Sequence, residues 1–335
     1  MTNYNFRQVY ARCRPMFEKE TNRGEINVFS KLDKDEVAIH SCLFKADLKT
    51  PFITHYRFLF DDVFGQDCSN DQVYSDTLKG MVGHACTNGT GCMFMFGQTG
   101  SGKTYTMDSL TQQAADDIYR TNPKKVSLSF VELVGDSVHD LLNGRKKLAL
   151  REKKDGSYMM EDLHAKDILT AKDLCADIAA CHKMRKTSAT EANQTSSRSH
   201  AVSIINIGEH GRLMLLDCAG TERNKDSMHH DAEQRREGAE INASLFALKE
   251  CIRSYNQNKD GQKVVIPFRQ SSLTKVLAEA FHKNAQLSVI CTASPCCTDT
   301  EHSITTLRTG FNLSGRADSA TDELDQAEFA TLLHV

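Results

Sequence analysis

Eight residues constrain this chain more than any other feature. Gly97-Gln98-Thr99-Gly100-Ser101-Gly102-Lys103-Thr104 fits GxxxxGK followed by Ser or Thr, and the apolar run Cys92–Phe96 leads straight into it. Glycines let backbone N–H groups approach phosphate oxygens, a lysine at this offset reaches the β- and γ-phosphates, and the next hydroxyl suits Mg2+. With glycine near 7% of residues, the four specified positions coincide by chance in only about 1% of chains this long. The strand in front makes an idle glycine turn rarer still. All eight residues are therefore expected to contact a nucleoside triphosphate, with Thr104 also on the metal.

Two further stretches suit the same chemistry. Leu213-Met-Leu-Leu-Asp217 is an apolar strand ending in an acid, and Cys-Ala-Gly220-Thr-Glu222-Arg223 follows. A carboxylate at a strand end can hold a magnesium shell, and a glycine just after it lets an N–H meet the γ-phosphate. Asn193-Gln-Thr-Ser196-Ser197-Arg198-Ser199-His200 clusters hydroxyls beside an arginine, which suits metal coordination, water positioning and a salt bridge. Alone, such a polar run is more often a solvated loop.

The rest of the chain bounds the fold. At 335 residues, 40% hydrophobic and 25% charged, there is enough apolar surface for one large α/β domain. Strand-like runs lie at Gln8–Arg12, Cys92–Phe96, Val126–Leu133, Ala201–Ile207, Leu213–Leu216 and Leu287–Thr292. Helical patterns separate some of them, at Asn70–His84, Ala171–Met184, Glu237–Tyr255 and Gln270–Phe281. Strands interleaved with helices imply a central sheet flanked by helices. Twelve cysteines without a CxxC pair read as reduced, mostly buried thiols and not as zinc ligands. No apolar run has membrane-spanning length and the first residues lack a secretion-signal core, so a soluble, cytoplasmic protein without membrane partners is expected. The net charge is −3, of which Ser314–Val335 supplies −4, leaving +1 for residues 1–313. No strong field covers the body, so an acidic partner has to meet a local basic patch. No sustained heptad supports dimerisation.

The set Arg12-Cys13-Arg14-Pro15, GQTGSGKT, NQTSSRSH and DCAGTE, in this order, resembles a kinesin motor domain. The resemblance covers about residues 5–313, with supporting runs at Ser129-Phe-Val-Glu132 and Asp140-Leu-Leu142, and leaves 314–335 as an acidic tail. It implies a P-loop NTPase of kinesin motor fold, with a mostly parallel mixed sheet flanked by helices, using ATP and Mg2+ and partnered by tubulin and microtubules, not nucleic acid. By resemblance, Arg12, Arg14 and Pro15 lie against the adenine, with Tyr74 on its other side and Tyr105 near the base. Ser197 joins Thr104 on Mg2+, and Asp217 acts through water. Ser196 helps place the attacking water, Gly220 senses the γ-phosphate, and Arg198 pairs with Glu222 when both switch loops close. The segment after Met107 is shorter than in most relatives, so the loop and helix beside the nucleotide are expected to be reduced.

From Glu237 the apolar residues Ile241, Leu245, Leu248, Ile252 and Tyr255 are spaced 4, 3, 4, 3 and make one buried stripe. A second stripe, Asn242, Phe246, Lys249 and Arg253, lies about 100° round the helix. Bases exceed acids from Lys249 to Lys283, a modest excess that would by itself suit a solvated face. Resemblance makes this helix–loop–helix the tubulin-binding face, with Lys249, Arg253, Lys263, Arg269 and Lys275 as contacts. Arg236-Glu-Gly-Ala-Glu-Ile-Asn242 and Ala247-Leu-Lys-Glu-Cys-Ile-Arg253 are most similar to the kinesin-13 family, which removes tubulin from microtubule ends. Its motors carry a KVD tip in an early loop, and here Lys45-Ala46-Asp47 stands in the corresponding place, which adds Lys45 and Asp47 as partner-binding residues. The expected function is an ATP-driven depolymerase. The alternatives are a translocating kinesin and a microtubule-binding module with a vestigial ATP site.

Overall fold

A computed structural model describes residues 7–45, 47–154, 156–187, 198–221, 232–259, 261–282 and 284–315. The first part of the chain forms β1 (Arg7–Cys13), the single-turn α1 (Glu18–Thr21), β2 (Phe29–Lys31), β3 (Glu36–Phe44), β4 (Pro51–Leu59) and β5 (Asp62–Phe64). Next come α2 (Asn70–Thr77), α3 (Lys79–Cys86), β6 (Thr90–Gly97), α4 (Lys103–Arg120), β7 (Val126–Val134) and β8 (Ser137–Asp140). The short strands β9 (Lys146–Leu148), β10 (Leu150–Glu152), β11 (Tyr158–Met160) and β12 (Lys166–Ile168) precede α5 (Ala171–Thr187), β13 (His200–Ile207) and β14 (Gly211–Asp217). The last elements are α6 (Ala232–Lys259), α7 (Ser272–Val276), β15 (Ala285–Ala293) and α8 (Thr300–Ser314).

The main sheet runs β5-β1-β15-β6-β14-β13-β7-β8-β9, with β12 paired to β7. Pairings from β5 to β14 are parallel, and those from β14 outward are antiparallel. The antiparallel steps reverse only β13, β8 and β12, so most strands share one direction, as expected. The central strand β6, Thr-Gly-Cys-Met-Phe-Met-Phe-Gly, has no charged residue and is buried along nearly its whole length. A strand covered on both faces needs such a run. Its side chains alternate between two cores: Cys92, Phe94 and Phe96 pack with α6 and α8 residues such as Leu248 and Leu307. Met93 and Met95 pack with α3, α4 and α5 residues such as Val82, Leu110 and Ile178. Helices therefore cover both faces, and β6 delivers its last residue, Gly97, to the sheet edge where the glycine loop begins.

Two helical expectations are modified and one is met. The 70–84 pattern breaks at Leu78 into α2 and α3, where the Thr77 hydroxyl donates to the Val73 carbonyl at 2.6 Å and bends the turn. The 270–281 pattern keeps only five α-helical residues, because Ser271 and Thr274 form a capping box and the chain then tightens into a 3-10 turn at Ala278–Phe281. The expectation met is that of α4, which runs as one 18-residue helix from Lys103 to Arg120 with no interrupting loop, in keeping with the shortened segment after Met107.

Outside the main sheet, β2, β3 and β4 form an antiparallel sheet. The β3–β4 hairpin is paired from Glu36↔Leu59 to Phe44↔Pro51. Its inner end is buried by Val37, Ile39 and Phe58, whereas Leu43, Phe44, Leu48 and Ile53 near its outer end are exposed.

Candidate functional site

The glycine loop is built as the sequence requires. Gly97, Gly100 and Gly102 have φ of +153, +81 and +98°, a region that L side chains avoid. Gly97 is also sterically closed, since a Cβ there would sit 2.3 Å from Thr292 Oγ1 and 2.6 Å from the Thr292 carbonyl. Ser101 ties the loop down: its hydroxyl donates to the Gln98 carbonyl at 2.8 Å and lies 2.6 Å from Thr292 Oγ1. Lys103 opens α4, and its amine donates to the Gly97 and Gln98 carbonyls at 2.8 and 2.9 Å. A cation and a helix N-terminus thus converge on one loop, which suits a phosphate chain.

Thr104, one residue into α4, donates from its hydroxyl to Asp217 Oδ2 at 3.0 Å. Asp217 ends β14 and is buried, and its Oδ1 has no hydrogen-bond partner among the described residues. A hydroxyl, a carboxylate and an unsatisfied hard oxygen are the donor set that Mg2+ takes, so these residues fit the metal. Ser196, Ser197 and Glu222 lie outside the described residues. Arg198 is half-buried at the start of the described segment 198–221, and Gly220 is buried near its end; the neighbouring Thr221 N–H donates to the Gly97 carbonyl at 3.1 Å, which joins the strand-end segment to the loop.

The expected adenine residues divide. Pro15 is exposed, and Tyr105 on the first turn of α4 is 71% exposed. Arg14 does not stand free beside a base. Its guanidinium makes a bidentate pair with Glu20 at 2.8 and 2.7 Å, and its Nε donates to the Gly100 carbonyl at 2.8 Å. This pairing holds the Glu20 carboxyl down at about 2, so Arg14 braces the loop against α1. Arg12 is buried and donates to Thr106 Oγ1 at 2.8 Å and to Asn70. Tyr74 lies deeper than the others. Only 5% exposed, it packs in the core with Val73 and Leu110, and its hydroxyl donates to Asp117 at 2.7 Å. Burial and Asp117 both push its phenol up.

Three residues without an assigned role complete the site. Arg185, at the end of α5, is 1% exposed. It donates to the Ser199 carbonyl at 2.7 Å and lies 3.4 Å from Asp217 Oδ2. Glu132 in β7 is wholly buried, 2.7 Å from Arg145 and accepting from Ser199 Oγ at 2.8 Å. Buried charges need such partners, and an acid inside the apolar run Ser129–Leu133 was the available signal. His200 joins the Ala219 N–H, at 3.1 Å, to Ser244 of α6, at 2.8 Å.

The expected partner contacts also divide. Ile241, Leu245, Leu248, Ile252 and Tyr255 are buried, while Phe246 and Arg253 are exposed. Arg253 pairs with Glu250 at 3.1 Å. Lys263 is exposed, Lys275 is half-buried, and Arg269 is exposed and paired with Glu152 at 2.7 Å. Lys249 turns inward instead: half-buried, its amine donates to Thr309 of α8 at 3.1 Å. On the β3–β4 turn Lys45 and Asp47 are exposed and Ala46 lies outside the described residues. Asp47 is already engaged, accepting from the Lys49 and Thr50 N–H groups at 2.9 Å each and from the Thr50 hydroxyl. Those hydrogen bonds hold its pKa below the usual carboxylate value. It therefore also closes the turn, while remaining exposed as expected.

A family model for the kinesin motor domain matches residues 12–313. Kinesin-like protein KIF24 of Homo sapiens is 40% identical over 319 residues, covering 90% of this chain and 23% of that protein. Diatom spindle kinesin-1 of Cylindrotheca fusiformis is 34% identical over 334 residues, covering 96% of this chain and 53% of its own. Kinesin-like protein KIN-13B of Arabidopsis thaliana is 36% identical over 320 residues, covering 90% and 46%. The chain thus spans about a quarter to a half of the length of these relatives. Among solved structures, a fast kinesin superposes with a TM-score of 0.77 at 26% identity, covering 98% of this chain and 97% of that one. A KIF14 dimer with AMP-PNP in complex with a microtubule gives 0.76 at 25% identity, covering 98% and 100%.

Proposed function

The chain belongs to the kinesin motor domain family, and from that premise we propose that it is a microtubule-stimulated ATPase that removes tubulin from microtubule ends in the manner of kinesin-13 motors. The observation that carries the ATPase reading is the Thr104–Asp217 contact of 3.0 Å at the mouth of the glycine loop, with an oxygen of Asp217 left over. Relatives named KIN-13 from two plants support the depolymerase reading, as does the long β3–β4 arm ending in an exposed lysine.

In this reading the Lys103 amine leaves the carbonyls of Gly97 and Gln98 for the β- and γ-phosphates. Thr104 and Ser197 would hold Mg2+, with Asp217 acting through water. The metal, when bound, neutralises phosphate charge and keeps the transferring group in line. Ser196 orients the attacking water, and the Gly220 N–H meets the γ-phosphate. Closure brings Arg198 to Glu222, so hydrolysis waits for both switch segments. Microtubules enter through the exposed face around Arg253, Lys263 and Arg269, and the arm supplies a second contact.

Light microscopy of stabilised microtubules with this protein and ATP tests the proposal. Shortening from both ends is expected, and none with a non-hydrolysable analogue. Directed movement along an unshortened lattice would replace the depolymerase reading with a translocating one. Static decoration without tubulin-stimulated phosphate release would overturn the ATPase reading as well.

A further inference from the structure

His200 belongs to no part of the chemistry described above, yet it connects three segments of the chain inside the protein. It is 2% exposed and opens β13. Its Nδ1 lies 3.1 Å from the Ala219 nitrogen, one residue before Gly220. Its Nε2 lies 2.8 Å from Ser244 Oγ on α6, and that hydroxyl also donates to the Ile241 carbonyl at 2.8 Å.

The hydrogen-bond inventory of these groups fixes the direction of every link. The Ala219 N–H can only donate, so Nδ1 must accept and carries no proton. A neutral imidazole then has its proton on Nε2, which donates to Ser244 Oγ. The serine proton is committed to the Ile241 carbonyl, so its oxygen is free to receive that donation. A protonated ring could not accept from Ala219, and burial, with Arg185 and Lys103 nearby, keeps the imidazole neutral by lowering its pKa to about 3. The chain Ala219 N–H to Nδ1, Nε2–H to Ser244 and Ser244 O–H to Ile241 therefore has one polarity, and each link depends on the one before.

We propose that His200 is a positioning residue that reports the placement of the Cys218–Ala219 peptide, the unit just before the Gly220 N–H, to α6. While the Ala219 N–H rests on Nδ1, the tautomer is locked and Ser244 is held from the sheet. When that peptide shifts together with the next one, as the next one places the Gly220 N–H on a γ-phosphate, the lock goes, the ring proton is no longer confined to Nε2, and α6 is released from its seat. His200 acts from within the core. This inference rests on the nucleotide-switch reading of Gly220 and is independent of whether microtubules are shortened.

Hydrogen exchange of the purified protein in ADP and in a non-hydrolysable ATP analogue tests it, with affinity for both followed separately by a fluorescent nucleotide. In the parent protein, exchange of amides 241–255 should differ by about fivefold between the two nucleotides. In Ser244→Ala that difference should fall below about twofold with nucleotide affinity unchanged. Ser244→Thr, which keeps the hydroxyl, should restore it. His200→Asn keeps an acceptor towards Ala219 but cannot reach Ser244, and should match Ser244→Ala. A merely structural serine would instead speed exchange equally in both nucleotides. That result, or a nucleotide-dependent difference that survives in Ser244→Ala, overturns the proposal. Failure of the parent protein to bind either nucleotide overturns the reading of the site together with the inference.

Discussion

Individual residues in this site can be separated by what a substitution would cost. Alanine at Gly97 puts a methyl within 2.3 Å of Thr292 Oγ1, so it should abolish nucleotide binding and lower Tm by about 5 °C or more. At Gly100 the φ of +81° strains any side chain, but nothing lies within 4 Å of the added carbon. Gly100→Ala should therefore cost only about 1 kcal/mol. Fluorescent-nucleotide titration and thermal melts of the two variants check this contrast. A second residue-scale expectation concerns acid. His40 and His55 face each other across β3–β4 with their Nδ1 atoms 2.8 Å apart. Burial and the neighbouring His55 lower the His40 pKa to about 4, and burial lowers that of His55. Unfolded imidazole titrates near 6.5. The unfolded chain therefore takes up a proton that the folded one refuses, and the stability is complete above about pH 6.5 and is lost as pH falls toward 4. Between pH 6.5 and 5, before carboxylates titrate, His40 alone should account for up to about 2 kcal/mol. Urea unfolding at the two pH values should show the drop, and His40→Asn should flatten it. The glycines and Lys103 of the loop were legible because their chemistry demands those residue types at fixed spacing. The burial of Tyr74 was not, because a tyrosine in an amphipathic helix reads the same whether its ring faces a base or the core.

At the scale of elements, α6 shows how one helix divides its duties. Its apolar stripe is buried as the 4, 3, 4, 3 spacing requires, and the neighbouring stripe splits between an exposed Arg253 and an inward Lys249. Arg253→Ala should weaken microtubule cosedimentation about threefold to tenfold at low salt, with the difference shrinking as salt rises. Lys249→Ala should instead loosen α6 from α8, which would show as a lower Tm with the salt dependence of binding retained. No spacing argument distinguishes these two bases; the difference lies in Thr309, sixty residues away. The six strands read from the sequence are all present, since β-branched and aromatic runs of that length have few other uses. Several elements were not legible, α4, β3 and β4 among them. In α4 the inward positions include Ala114, Ala115, Thr106 and Thr111, too small or too polar to make a stripe. In β3 and β4 the buried Ser41, Thr54 and His55 blur the alternation that marks a strand.

Over the whole molecule, the sheet gathers the glycine loop, Asp217 and the buried Glu132–Arg185 group at one end of its strands, while the β3–β4 arm stands apart from that core. Since Asp47 closes the turn of the arm, Lys45→Ala is the clean test of the tip. Microtubule shortening should fall while basal ATPase holds, whereas Asp47→Ala should unravel the turn and reduce shortening by removing the arm's shape. Timed microscopy of both variants, with thermal melts beside it, separates the two causes. The arm has a further consequence that follows from length alone. Nine paired residues at about 3.4 Å each make a hairpin of roughly 30 Å, packed from Glu36 to Ser41 and exposed only over Cys42–Phe44 and the turn. The exposed end is only about 10 Å long, so a tilt of about 10° at its base moves the tip by roughly 2 Å, and the packed part holds the tip at a fixed place beside the core. A track whose surface bends by a few degrees per subunit would therefore be felt at the tip as contact made or missed.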